Sequence, residues 1–280
     1  DRFGVVSDTV IILVSVGVSV TVALDKDRLV ETMEAQAAIG GTDDGGLHRL
    51  ALSDEDKAVR DWFVEQLRAL DLTVRVDAFG NVFGRRSGTD PDASPVLIGS
   101  HLDSQPNGGI YDGQLGVVCA LETLRALEDA DLETRRPVEL VNWTNEEGVR
   151  FEQPMLGSGA FAGVVPVEEA LALTDDDGRS VGEELERIGY AGDHPCEVHD
   201  VHAHLELHVE QGPTLEEHGT SVGVVEGGTA SNIIPEDVRA QVEVRGETTD
   251  LKDYMSDRVR DVVAGAARMH ECEFDVELGG

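Results

Sequence analysis

The chain is 280 residues long and 40% apolar, with 56 Asp plus Glu against 22 Lys plus Arg and a formal net charge of −34. That length suits one large domain or two smaller ones, and the apolar share is enough for a core. So acidic a surface would repel a phosphate backbone, which argues against nucleic acid as a partner; it reads as a solvated coat adapted to high salt, where screening removes self-repulsion.

Residues 1–24 stand apart. VVSDTVIILVSVGVSVTVAL is apolar and β-branched, and its alternation predicts strand rather than helix. Asp8 interrupts it at the short limit for a membrane span, and it lacks the basic start and cleavage pattern of a signal peptide. It is left unassigned, and no membrane attachment is expected.

From Asp25 the pattern becomes regular. DKDRLVETMEAQAAIG predicts an amphipathic helix ending at glycine, and SDEDKAVRDWFVEQLRAL a second, with Ser53 as N-cap and acids in its first turn. LTVRVDAFGNVFGRR reads as two strands around a Gly-Asn turn. SPVLIGSH is a buried strand ending at His101. GVVCALETLRALEDA is a helix with Cys119 on its buried side. PVELVNWTNEE is a strand delivering Glu146 and Glu147, and VHAHLELHVEQG delivers His208. Between the last two, DDDGRSVGEELERIGYAGDHP predicts a short helix in a long connection. After Gly223 the style changes: IIPEDVRAQVEVRG, TTDLKDYMSDRVRDVVAGAARMH and CEFDVEL read as strand, helix and strand of a small second domain. Alternating strands and helices imply an α/β fold with a mostly parallel sheet and helices on both faces. The expected divisions are 1–24, a metal-binding catalytic domain over 25–221, and a partial α+β domain over 222–280. Cys119, Cys196 and Cys272 show no C-x-x-C spacing, which points to a reducing, cytoplasmic setting without disulfides.

The chemistry-bearing residues gather at strand ends: His101 in GSHLDSQPNGG, Asp112 in IYDGQLG, Glu146 and Glu147 in NWTNEEG, and His208 in LELHVEQGP. Ligands of α/β sheets collect at the carboxyl ends of strands. His and carboxylate ligands suit zinc, manganese, cobalt or nickel. A two-metal hydrolytic site needs a bridging carboxylate, terminal ligands and a base near a bridging water. Asp112, in its glycine-flanked turn, suits the bridge, and His101 and His208 complete one ion. Adjacent Glu146 and Glu147 cannot point the same way, so one suits a second ion and the other the water. Asp103 can accept the proton on the far imidazole nitrogen of His101 and orient it. A lone acid in so acidic a chain is surface, and His202, His204, His48, His194, His199, His218 and His270 read as packing or surface residues. The combination of four motifs at strand ends is what carries the reading.

GSHLDSQPNGGIYDGQLGV, NWTNEEGVRF, ELHVEQGP and GGLHRLALSDEDKAVRDWF together resemble the hydantoinase/carbamoylase family of zinc-dependent amidohydrolases, over residues 27–277. That family holds N-carbamoyl-L-amino acid hydrolases, allantoate amidohydrolases and beta-ureidopropionases. The resemblance implies a zinc-aminopeptidase-like fold with a lid domain and two divalent metal ions. It places His101, Asp112 and His208 on one ion with Asp112 bridging, Glu147 on the second, and Glu146 as general base. Gln211, Asn232 in SNIIP and Arg245 in VEVRG match substrate-binding positions, an arginine fork suiting a substrate carboxylate. The implied reaction is attack of metal-bound hydroxide on a carbamoyl or ureido carbonyl of a small carboxylate-bearing substrate. Two departures stand out. SVGVVEGG runs directly into TASNIIP, so the first half of the lid, with its carbonyl-polarising histidine, is read as deleted. The chain also stops inside the lid, before the family's last histidine ligand, so the second metal site is expected to be incomplete and dimerisation through the lid impaired. The alternatives are a non-catalytic remnant or partial subunit of this family, and a metallopeptidase of the wider superfamily.

Overall fold

A computed structural model describes residues 9–13, 19–217, 219, 222–223, 226–227 and 238–239. They fall into two compact units that divide between Val209 and Glu210. The first contains, in chain order, β1 (Thr9–Leu13), β2 (Ser19–Ala23), α1 (Lys26–Ala37), α2 (Asp54–Ala69), β3 (Thr73–Val76), β4 (Val82–Arg86), β5 (Val96–His101), α3 (Gln114–Asp129), β6 (Val138–Trp143), α4 (Leu156–Phe161), α5 (Val167–Ala172), α6 (Val181–Ile188) and β7 (Ala203–Leu205). The second contains α7 (Thr214–Glu217) and an antiparallel pair of β8 (Glu226–Gly227) and β9 (Val238–Arg239). The strand, helix and strand expected beyond residue 232 lie outside the described residues except for β9.

Local signals in the sequence account for most element boundaries. Asp25 accepts from Arg28 N at the start of α1, and Ser53 from Asp56 N at the start of α2. Ser180 and Glu183 form a reciprocal capping box on α6. Each such cap satisfies N–H groups that a helix start leaves unbonded, worth ~1 kcal/mol. The alternating N-terminal segment forms β1 and β2, paired antiparallel with Thr9 opposite Ala23. α4 and α5 were not expected from the sequence, and Cys119 on α3 is half-buried rather than fully so.

The central sheet has the order β3-β4-β6-β5-β7 and is mixed. β5, β6 and β7 run parallel, as the β5-α3-β6 crossover requires, while β3-β4 is a hairpin that joins β6 antiparallel. Helices cover both faces, and adjacent residues of β4 show it. A Cβ on Gly84 would lie 2.6 Å from Leu67 Cδ2, so α2 is pressed against that face. Phe83 points the opposite way and meets Trp143 edge-on at 5.8 Å and Phe161 of α4 at 5.6 Å. A Cβ on Gly116 would lie 2.7 Å from Ser100 Cβ, which seats α3 on the α2 side. Among the described residues, no helix is long and apolar enough to cross a membrane.

Two buried charge clusters tie these layers together. Asp56 and Arg60 of α2 pair at 2.8 Å with both side chains fully buried. Arg60 also donates to Gly80 O at 2.8 Å and to Thr144 Oγ1 at 3.3 Å, so it links α2 to the turn before β4 and to the segment leaving β6. On the other face Glu139 accepts from Arg85 at 2.7 Å and meets His199 Nε2 at 2.8 Å. Burial would raise the Glu139 carboxyl, but His199 and Arg85 hold it below the usual range.

Arg60→Leu should destabilise the chain by about 3–5 kcal/mol in urea unfolding, because it leaves Asp56 buried without its counter-charge. A carboxylate with a depressed folded pKa stabilises fully above its unfolded value of 4.5, and that contribution is lost as pH falls through the folded value. Glu139→Gln should therefore lower the urea midpoint at pH 7. The gap from the parent chain should close in acid, below the folded pKa.

Candidate metal centre

Because β5, β6 and β7 are parallel, their C-terminal ends share one rim of the sheet. His101 is the last residue of β5, Glu146 and Glu147 follow the end of β6, and His208 follows the end of β7. Asp112 reaches the same rim from the loop that leads into α3. One ligand atom from each of His101, Asp112 and His208 lies within 4.8 Å of the others. That spacing needs only small side-chain adjustment to meet a single ion at about 2 Å.

The two imidazoles are oriented for ligation. His101 Nδ1 lies 3.1 Å from the Asp103 carbonyl and 3.6 Å from its Oδ1, which turns Nε2 toward the rim. Nε2 is buried without a hydrogen-bond partner and approaches Glu146 Oε2 at 3.3 Å. A buried ring nitrogen left unbonded fits a metal ligand, since an unmet polar atom otherwise carries a desolvation cost. His208 Nδ1 donates to Val209 O at 2.9 Å, and its Nε2 faces Asp112 Oδ1 at 3.3 Å. The rings lie 5.9 Å apart and nearly stacked. Gly113 makes this possible: with φ of 79°, a Cβ there would fall 2.3 Å from His101 Nε2.

Asp103 does more than orient His101. It is buried, and its Oδ1 and Oδ2 accept the backbone N–H groups of Glu146 and Glu147 at 3.3 and 3.2 Å. Against the penalty of burial, His101 and these N–H groups hold its carboxyl below the usual range. Burial pulls His101 down, but Asp103 and Glu146 outweigh it and raise the ring to about 9. The Asp103 loop is held from behind: Arg49, fully buried, donates to Leu102 O at 2.7 Å, and Gln114 Nε2 donates to Asp103 O at 3.2 Å.

The two glutamates are separated as adjacent residues must be. Glu146 leans toward His101, while Glu147 accepts from Gln105 Nε2 at 2.9 Å. Both carboxyls are raised, first by burial, Glu146 then by Asp103 and Glu147 by Asp112. The segment leaving β6 is pinned before it reaches them: Thr144 N donates to Asn81 Oδ1 at 3.0 Å and Thr144 O accepts from Gly157 N at 2.8 Å.

Of the residues singled out from sequence, His101, Asp103, Asp112, Glu146, Glu147 and His208 meet at this rim. Gln211 lies in the second unit, and Asn232 and Arg245 lie outside the described residues. Arg49, Gln105, Gln114 and Asn145 were not singled out as site residues. All four sit inside the motifs GGLHRLAL, GSHLDSQP, IYDGQLG and NWTNEEG, but nothing in their residue types announces the bonds they make. Asp103→Ala should weaken zinc or cobalt binding about 10–100-fold in calorimetric titration, because it frees both the His101 ring and the glutamate loop. Asp103→Asn should fall between, since one amide group cannot accept both N–H bonds.

Residues 97–278 match peptidase family M20/M25/M40. The N-carbamoyl-L-amino-acid amidohydrolase of Rhizobium meliloti is 46% identical over 202 residues, covering 72% of this chain and 49% of that protein. The ureidoglycolate hydrolase of Arabidopsis thaliana is 34% identical over 220 residues, covering 75% of this chain and 46% of that protein. The crystal structure of a hydantoinase/carbamoylase family amidase from Burkholderia multivorans matches with a TM-score of 0.69 at 52% identity, over 70% of this chain and 48% of that one. The chain spans about half the length of the curated relatives it matches. These likenesses agree with the resemblance carried by its motifs. The matched span exceeds half of the chain and takes in every residue of the centre from His101 to His208, so the chain belongs to peptidase family M20/M25/M40.

Proposed function

We propose that this chain carries the metal-binding portion of an amidohydrolase that cleaves carbamoyl or ureido C–N bonds, in N-carbamoyl-L-amino acids or a related small ureido acid. The observation that carries this reading is the convergence of His101, Asp112 and His208 on one rim, beside Glu146, in a chain whose relatives are named for such hydrolyses. His101, Asp112 and His208 would hold one divalent ion, and Asp112 and Glu147 are the residues offered to a second. Bound there, a divalent ion lowers the pKa of water and polarises the scissile carbonyl.

Glu146 is the general base in this reading. Its carboxyl is raised chiefly by burial, which brings it closer to the pH at which it must exchange a proton. It takes the proton of the attacking water and returns it to the leaving nitrogen. Glu147 accepts from the Gln105 amide, and Asp103 holds both glutamate backbones through their N–H groups. Asn232 and Arg245 are the candidates for gripping the substrate carboxylate.

The test uses the full chain loaded with zinc, manganese or cobalt. It should bind at least one ion, and His101→Ala should lose it. Turnover of N-carbamoyl-L-amino acids or ureidoglycolate is expected, and Glu146→Gln should remove about 10²–10⁴-fold of it while keeping the ion. Absence of any bound ion would sink the reading. Ion binding without turnover would leave a metal-holding chain that does not catalyse, and hydrolysis of dipeptides alone would favour a peptidase.

A further inference from the structure

The loop that carries Glu146 and Glu147 is built on backbone that most residues avoid. Asn145 has φ of 52°, and Gly148, Glu152 and Met155 follow at 67°, 35° and 54°. A left-handed residue turns the chain so that the next N–H groups point to one side, forming a concave anion-binding nest. Here the nest is filled from within the protein, because the N–H groups of Glu146 and Glu147 are those that seat on Asp103 at 3.3 and 3.2 Å. The loop is then pinched shut: Met155 N donates to Glu146 O at 2.7 Å, Leu156 N to Asn145 O at 3.2 Å, and Gly157 N to Thr144 O at 2.8 Å. Both backbone polar groups of Glu146 are thereby bonded, and only its side chain is left to act.

We propose that Asn145 is a positioning residue of the metal centre. Its left-handed conformation, rather than any bond of its side chain, sets the direction of Glu146 and Glu147 by seating their N–H groups on Asp103. The inference rests on reading these residues as a metal centre. Asparagine and glycine adopt this conformation far more readily than other residues. The side chain itself is poorly served at this position. Its Nδ2 donates to Gln153 O at 3.0 Å, but its Oδ1 is buried with no hydrogen-bond partner. A site that needed the amide for bonding would not leave half of it unmet, whereas a site that needs the backbone turn is indifferent to it.

Asn145→Gly and Asn145→Ala separate the two roles, with the full chain titrated with Co²⁺ by calorimetry and visible absorption, and folding followed by thermal melting. Glycine keeps the conformation and loses the amide, so it should retain Co²⁺ affinity within about threefold and leave the Co²⁺ spectrum unchanged. Alanine should weaken affinity about tenfold or more and alter the spectrum. Equal loss in both variants, or no loss in either, overturns the proposal. If the alanine variant fails to fold, the glycine variant decides alone: retained Co²⁺ binding supports the role and lost binding overturns it. If the parent chain takes up no Co²⁺, or His101→Ala binds it equally well, the metal-centre reading has failed and this inference falls with it.

Discussion

The carboxylate of Asp103 is the point on which the rim is organised. It is buried, where an isolated charge would be costly, and it is met from two directions. On one side stands the His101 ring, and on the other the consecutive N–H groups of Glu146 and Glu147. One side chain therefore fixes the loop after β5 and the loop after β6 to the same spot. The distance between His101 and Glu146 is then a consequence of local bonding and not of how two flexible loops happen to lie. The charge of Arg49 behind it helps keep Asp103 ionised, and Arg49 remains protonated at neutral pH although burial lowers it to about 10.

Around that point the fold supplies bracing of a different kind. Thr144 is held by Asn81 through its N–H, by Arg60 through its hydroxyl and by Gly157 through its carbonyl. Those partners come from the turn before β4, from α2 and from α4. The antiparallel hairpin β3-β4 thus serves the parallel part of the sheet, because its turn carries the residue that steadies the exit of β6. Glycine matters where elements approach too closely for a side chain. A Cβ on Gly157 would lie 2.4 Å from Asn81 Oδ1, and one on Gly113 would strike the His101 ring. The positions of the candidate ligands are consequences of packing many residues away from them.

What could be read from the sequence follows this division between local and non-local causes. Caps at Asp25, Ser53 and Ser180, strands ending at His101 and before Glu146, and the glycine-flanked Asp112 all leave a signature within a few residues. The pairing of β4 with β6, which makes the sheet mixed, does not, because register between distant strands is settled by packing. α4 and α5 are six residues each, too short for a helical period to stand out. Arg49 and Arg60 are fully buried although arginine is ordinarily exposed, and only their partners explain it. The left-handed backbone at Asn145 is permitted by its residue type but not announced by it.

Charge gives the centre its chemical direction. Asp103 and Glu147 raise the cost of ionising Glu146, and Asp112 and Asp103 that of Glu147, in each case on top of burial. Asp103 is fully compensated by bonds, so it stays ionised and stays put. Glu146 and Glu147 are only partly compensated, so their carboxyls rise. His101 responds in the opposite sense and is drawn up to about 9, toward a protonated ring. A proton on His101 and a divalent cation answer the same local excess of negative charge. A cation would answer it through several ligands, because one ligand atom from each of His101, Asp112 and His208 lies within 4.8 Å of the others, whereas a proton serves one pair. The fold spends a buried carboxylate on holding geometry and leaves Glu146 and Glu147 only partly compensated. That arrangement suits a centre that takes up a cation and keeps one nearby glutamate available for proton exchange.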